Sequence, residues 1–269
     1  MNLKKTKLFA KNLRKNIIFT AYTAGSKSAH IGGALSVADI FAVLYSDILR
    51  ISKNKIMDEN RDRLILSKGH ACLALYSALA MKKIIPKKEL ETFELDNSRL
   101  LGHPIMNRQI GIEFSTGSLG MGLSLGLGVA VAGKKKKNNY RVFVILGDGE
   151  CNEGSVWESI LCASQFKLDN LVIIIDRNNF QQTGENKSIM DLKNLKSKLK
   201  SFGCETHEIN GHNLKEIYKS LSLNSKNKPT AIVANTIKGK GVKIFEKDNR
   251  WHHSVLTAKI YKKILNSLR

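Results

Sequence analysis

One stretch constrains this chain more than any other. Residues 141–146 form an apolar, β-branched run with the character of a buried strand, and Gly147-Asp148-Gly149 closes it. A helix is expected over about residues 154–166. A second apolar run, residues 171–175, then leads into Asp176-Arg177-Asn178-Asn179. Strand, helix and strand in this order make a β-α-β crossover, which demands a parallel sheet with helices packed on it. Ligands of such sheets bind at the carboxyl ends of the strands, where both polar loops fall.

The rest of the chain extends the alternation. Residues 3–23 predict an amphipathic helix. Residues 36–50, opening with Ser36 and Asp39 and apolar at Ile40, Val43, Leu44 and Ile48, predict another. Residues 63–66 read as a short strand, followed after Lys68-Gly69-His70 by a helix through Met81. Further helices are expected over 191–202, over 213–223 and from Ser254 onward, with strands over 204–209 and 231–236. No repeat or linker divides the sequence, so residues 1–269 read as one α/β domain, a parallel sheet flanked by helices on both faces. Residues 114–133 carry no charge and run into four lysines, as a membrane span would. Six of these residues are glycine, however, which predicts a glycine-rich helix packed closely inside a soluble protein.

Lysine and arginine outnumber aspartate and glutamate 44 to 23, a net charge of +21. The basic residues are scattered, without interleaved aromatics or a nucleic-acid-binding motif, so a lysine-rich solvated surface is the plain reading. A basic field would also attract phosphorylated small molecules or an acidic partner chain. A basic nucleic-acid-associated protein without catalytic activity is the competing class. The four cysteines, Cys72, Cys151, Cys162 and Cys204, form no paired motif and fit reduced thiols in a cytoplasm. Charges interrupt the first apolar positions, so no secretory segment is expected there.

The chemistry centres on the two strand ends. Asn178 follows Asp148 by 30 positions, the distance over which a crossover returns to a neighbouring strand. Their side chains can converge as oxygen ligands of one hard cation, with phosphate oxygens and water completing the shell. The helix after Gly149 presents unpaired N–H groups and a positive dipole, which suit a diphosphate. Four histidines, His30, His70, His103 and His252, stand in loops, the last three directly beside glycine, proline or tryptophan, where they can donate to hydroxyls, phosphates or enolate oxygens. Glu153 opens the helix after the Asp148 loop, a favourable place for an acid on dipole grounds alone. The loop at residues 236–241, with two lysines and two glycines, is either a flap over phosphates or a plain basic turn.

The pair Gly147-Asp148-Gly149 and Asn178-Asn179 resembles the thiamine diphosphate-binding signature. With it stand His30-Ile31-Gly32-Gly33, Leu66-Ser67-Lys68-Gly69-His70, Gly102-His103-Pro104, Ser115-Thr116-Gly117-Ser118-Leu119-Gly120 and Trp251-His252. In that order, from about residue 10 to residue 256, they resemble the amino-terminal region of transketolases. The resemblance implies thiamine diphosphate bound through Mg²⁺ or Ca²⁺, with Asp148, Asn178 and the Phe180 carbonyl as protein ligands. It places Gly149, His70 and His252 at the diphosphate and Gly117 and Leu119 at the middle of the cofactor. It gives His30, His103 and again His252 to the substrate channel, and Glu153 to a proton relay between paired active sites. It implies transfer of a two-carbon ketol unit between sugar phosphates, as in pentose phosphate metabolism.

Two positions depart from the family: Ala29 precedes His30 where glycine is usual, and Ser118 replaces a common proline. A larger departure concerns the carboxylate that activates the aminopyrimidine, which in this family lies in a second, pyrimidine-binding domain. No part of this sequence is expected to form such a domain. The expectation is a separate carboxy-terminal subunit, an inactive isolated chain, and a dimer completed by two partners as α2β2. Two other thiamine diphosphate proteins share the signature: 1-deoxyxylulose-5-phosphate synthase, which has a similar Lys-Gly-Lys-Gly loop, and the α subunit of 2-oxo-acid dehydrogenases.

Overall fold

The computed structural model describes residues 1–267; the last two residues of the expected domain lie outside it. Four helices come early: α1 Leu3–Thr23, α2 Gly32–Ser36, α3 Ala38–Val43 and α4 Cys72–Met81. They are followed by α5 Met121–Lys135, α6 Gly154–Gln165, α7 Asn186–Ile189, α8 Leu195–Ser201, α9 Leu214–Leu221 and α10 Ala258–Ser267. The strands are β1 Arg63–Leu66, β2 Val142–Gly147, β3 Leu171–Arg177, β4 Glu205–Asn210 and β5 Thr230–Asn235. They form one sheet in the order β1-β2-β3-β5-β4, every pair parallel.

The central strands are apolar throughout because both faces are covered. Along β2, Val142, Val144 and Leu146 join Leu123 and Ala130 of α5 and Val156 and Ile160 of α6 in one core. Phe143 and Ile145 face the other way, into a core with Leu13 and Ile17 of α1, Phe41 of α3 and Leu73 of α4. Helices therefore flank the sheet on both faces. Gly126 lets α5 lie directly on β2, since a Cβ there would stand 2.4 Å from Val144 Cγ2.

Three expectations change. The helix expected over 36–50 starts earlier, at Gly32, breaks at Val37 and ends in a π-helical turn over Leu44–Ile48. Ser36, read as its start, is buried and donates to Asp176 Oδ2 at 2.6 Å. The helix expected over 191–202 shortens to Leu195–Ser201, capped by the Asn194 side chain, which accepts from Ser197 N. The uncharged segment 114–133 becomes helical only at Met121. Its face is not wholly inside: Met121 is 50% exposed, and beside it on α6 and just after its end Leu161 and Phe166 are 59% and 58% exposed. Among the described residues no helix is long and apolar enough to cross a membrane.

Candidate functional site

The ends of β2 and β3 meet because these strands are neighbours in register, with Gly147 opposite Asp176. This brings the loop after Gly147 against residues 178–181. Asp148 is buried, its Oδ1 accepting from Gly149 N at 2.9 Å and its Oδ2 from Asn179 N at 2.6 Å. Asn179 holds φ at 68°, turning the chain so that its amide reaches that carboxylate. Burial, and after it the nearby charge of Asp176, push the Asp148 carboxyl up to about 6.

Asn178 is oriented by its other neighbour. Its Nδ2 donates to Asp176 Oδ2 at 2.9 Å, and a carboxylate can only accept from it. The amide oxygen is thereby turned to the opposite side, where it accepts from Phe180 N at 3.0 Å. Among the described residues no three His, Cys, Asp or Glu side chains form a metal cage. One carboxylate, one amide oxygen and one main-chain carbonyl nevertheless suit a hard cation that takes its other ligands from phosphate and water. The lone pairs left on Asp148 and Asn178 are compatible with that shell.

Sequence reasoning missed the buried charges behind Asp148 and Asn178. Asp176 lies at the centre, fully buried, accepting from Lys68 Nζ, Ser36 Oγ, Asn178 Nδ2 and Thr236 Oγ1. Burial alone would raise its pKa, but the Lys68 charge and the hydrogen bonds of Lys68, Ser36 and Thr236 outweigh burial and hold it low. Glu150 is buried too and ties three loops together, accepting from Ser67 Oγ, from Gly120 N at 2.9 Å and from Gly147 N at 3.0 Å. Lys238 Nζ donates to Asn249 Oδ1 at 2.6 Å, to His252 Nδ1 at 2.8 Å and to Gln181 O at 3.3 Å. Burial, and after it Lys68, lower the Lys238 pKa to about 8. The available signals were a carboxylate ending an apolar strand, an acid directly after the glycine turn, and lysines in otherwise glycine-rich loops.

The histidines converge. Ala29 and Ser254 pair as an isolated antiparallel bridge, which carries His30 to the segment of His252 and His253. The His30 ring centroid lies 5.5 Å from those of His70 and His103, 5.4 Å from His252 and 4.2 Å from His253. His253, absent from the sequence expectations, also approaches Ser28 Oγ at 3.0 Å. Burial, then the neighbouring histidines, push His30 down to about 3; burial, then Lys238 and Lys68, do the same to His252. Burial, then Lys68, hold His70 well below its ordinary range. His30, His70 and His252 are thus neutral at pH 7. Because Lys238 donates to His252 Nδ1, the His252 hydrogen sits on Nε2, ready to be donated.

These groups enclose a cleft of about 370 Å³ lined by His30, His70, His103, Gly117, Leu119, Asp148, Gly149, Asn178, Phe180 and His252, with Lys68 and Glu150. Its depth requires glycine at Gly69, where a Cβ would stand 2.7 Å from the Thr116 backbone. Gly117, at φ 144°, likewise leaves room for the His103 ring. Glu153 alone of the expected site residues stands outside, exposed against Gly120 on the α5–α6 side.

Fold and cleft define a parallel α/β protein whose ligand site, at the carboxyl edge of the sheet, is rich in neutral imidazoles and buried lysine. The family described as "Transketolase, thiamine diphosphate binding domain" matches residues 10–267. An apulose-4-phosphate transketolase subunit of Phocaeicola vulgatus is 38% identical over 271 residues, covering 100% of this chain and 95% of that protein. The 6-deoxy-6-sulfo-D-fructose transketolase subunit SqwG of a Clostridium species is 37% identical, covering 87% and 86%. The crystal structure of Campylobacter jejuni transketolase superposes with a TM-score of 0.86 at 31% identity, over 100% of this chain but 43% of that one. This chain belongs to the transketolase family, as its thiamine diphosphate-binding domain.

Proposed function

We propose that this chain is the diphosphate-binding subunit of a two-subunit transketolase that moves a two-carbon ketol unit between sugar phosphates. The observation that carries the reading is the joining of Asp148 and Asn178 at adjacent strand ends, with the Asn178 amide oxygen turned away from Asp176. In this reading the Asp148 and Asn178 side chains and the Phe180 carbonyl hold Mg²⁺ or Ca²⁺. Gly149, His70 and His252 take the diphosphate, and Gly117 and Leu119 take the middle of the cofactor. When bound, thiamine diphosphate supplies the nucleophilic carbon on which ketol transfer depends.

The remaining steps belong to this chain's own residues. His252 Nε2–H donates into the cleft, with Lys238 fixing its tautomer. Neutral His30 and the exposed His103 exchange hydrogen bonds, and protons where needed, with hydroxyl and carbonyl oxygens of the sugar. Glu153, outside the cleft, serves a relay to a second site across a dimer. The exposed Met121, Leu161 and Phe166 on and beside α5 and α6 support that self-association. Relatives named as transketolase subunits, matched over most of their own length, support a separate partner chain. In this reading that chain carries the pyrimidine-binding domain, and the two form an α2β2 cytoplasmic enzyme of sugar-phosphate metabolism.

Titration calorimetry tests the site. The full chain with its partner binds thiamine diphosphate when Mg²⁺ is present and loses that binding in EDTA. Asp148→Ala abolishes the Mg²⁺ dependence. Unchanged affinity in this variant removes Asp148 from the metal site and the reading with it.

A further inference from the structure

Residues 236–241 are gripped from both sides. Toward the cleft, Thr236 bonds Asp176, Lys238 bonds His252, Asn249 and the Gln181 carbonyl, and Gly239 N donates to Gly32 O at 3.0 Å. On the far side Ile237 N donates to His212 Nε2 at 2.8 Å, and the Lys240 carbonyl accepts from Arg14 Nε at 3.0 Å. Asp39 joins these two holders. It bonds His212 Nδ1 at 2.8 Å and takes both terminal nitrogens of Arg14, at 2.9 and 2.6 Å. Gly241, at φ 93°, rests on the Arg14 side chain, which would lie 2.7 Å from a Cβ there.

The hydrogen-bond polarity is fixed. A backbone N–H only donates, so His212 accepts at Nε2 and carries its hydrogen at Nδ1, which it gives to Asp39. None of Arg14, Asp39 and His212 lines the cleft. They come from α1, α3 and the turn after β4, and they meet only behind this segment. Lys238 stands among buried charges that pull it both ways, repelled by Lys68 and attracted by Asp148 and Asp176, so its position depends on how the segment is held.

We infer that Arg14, Asp39 and His212 are positioning residues: a clamp that sets residues 236–241 so that the Lys238 ammonium meets the anionic end of the cofactor. The inference rests on the cofactor reading proposed above. Its test uses two substitutions that split the two bonds of His212. His212→Asn keeps a donor for Asp39 but does not reach Ile237. His212→Gln extends an amide oxygen to the Ile237 N–H.

Two measurements on the full chain follow. Hydrogen exchange over residues 236–241, read by mass spectrometry without cofactor, speeds up about tenfold in His212→Asn and returns to within about threefold of wild type in His212→Gln. With Mg²⁺ and the partner chain present, the Kd for thiamine diphosphate rises about tenfold in His212→Asn and recovers in His212→Gln, while kcat at saturating cofactor stays within about twofold. A merely structural role lowers Tm in both variants alike and spares the Kd-against-kcat split, which overturns the clamp. So does unchanged exchange or unchanged Kd in His212→Asn while wild type binds. Failure of wild type to bind the cofactor overturns the cofactor reading instead, and the exchange result then stands by itself.

Discussion

Asp148→Asn is predicted to make the metal-free chain less sensitive to rising pH while removing its response to cofactor. Burial, followed by the Asp176 charge, lifts the Asp148 carboxyl from 3.8 to about 6. Between those values the folded chain keeps a proton that the unfolded chain has released, so stability falls as pH rises through the window, and the full cost stands above it. At ~1.4 kcal/mol per pH unit, that rise is worth about 3 kcal/mol. The amide cannot ionise and escapes this cost. Its NH2 must, however, face the N–H of either Gly149 or Asn179, which costs about 1–3 kcal/mol at every pH. The two effects separate because only one depends on pH. His30, His70 and His252, all held low, destabilise the fold as pH falls below their ordinary value, but they do so in both proteins and cancel in the difference. Urea unfolding in EDTA from about pH 4 to 7 should show the stability of the variant relative to wild type rising by about 3 kcal/mol. Adding Mg²⁺ and thiamine diphosphate at a hundredfold excess over Kd should then stabilise wild type by about 2.7 kcal/mol and leave the variant unmoved. Parallel pH curves for the two proteins would refute the reasoning.

Other outcomes follow from the same geometry. Lys68→Met strands the buried Asp176 charge and should cost about 3–5 kcal/mol in urea unfolding, with the Lys68→Met, Asp176→Asn double variant recovering part of it. Gly126→Val drives a side chain into Val144 and should destabilise by about 1–3 kcal/mol or more, while Gly128→Ala, inside α5 with nothing within 4 Å, should raise stability by about 0.5–1 kcal/mol. His103→Ala should lower turnover far more than cofactor affinity, and His70→Ala the reverse; rescue of His103→Ala alone by excess cofactor exchanges the two roles. Leu161→Glu should shift sedimentation from dimer to monomer, and an unshifted dimer means that another face is used.

The central strands were legible because apolar runs covered on both faces need no partner information to be recognised, and the glycine turn marks where β2 stops. The 30-residue return from Asp148 to Asn178 was legible for the same reason, since β2 and β3 are neighbours. What could not be read were polar groups whose partners are distant in sequence. Ser36, read as the opening residue of a helix, serves Asp176, 140 residues on. Lys68 and Asp176, 108 residues apart, stabilise each other only after β1 and β3 have joined the same sheet. Gly32, where the early helix begins, lies close to the Trp251 carbonyl and Lys238, neighbours supplied by the opposite end of the sequence. The loop at 236–241, open to two readings from its composition, is neither free nor plain, being bonded on both sides.

The central claim is that this cleft does half of a transketolase's work and needs a second chain for the rest. The direct measurement mixes the purified chain with xylulose 5-phosphate, ribose 5-phosphate, thiamine diphosphate and Mg²⁺, with and without a partner carrying the pyrimidine-binding domain, and follows ketol transfer. The account predicts no transfer by the chain alone, and transfer on adding the partner that disappears again with Asp148→Ala. Robust transfer by the isolated chain, or by the Asp148→Ala assembly, would contradict it.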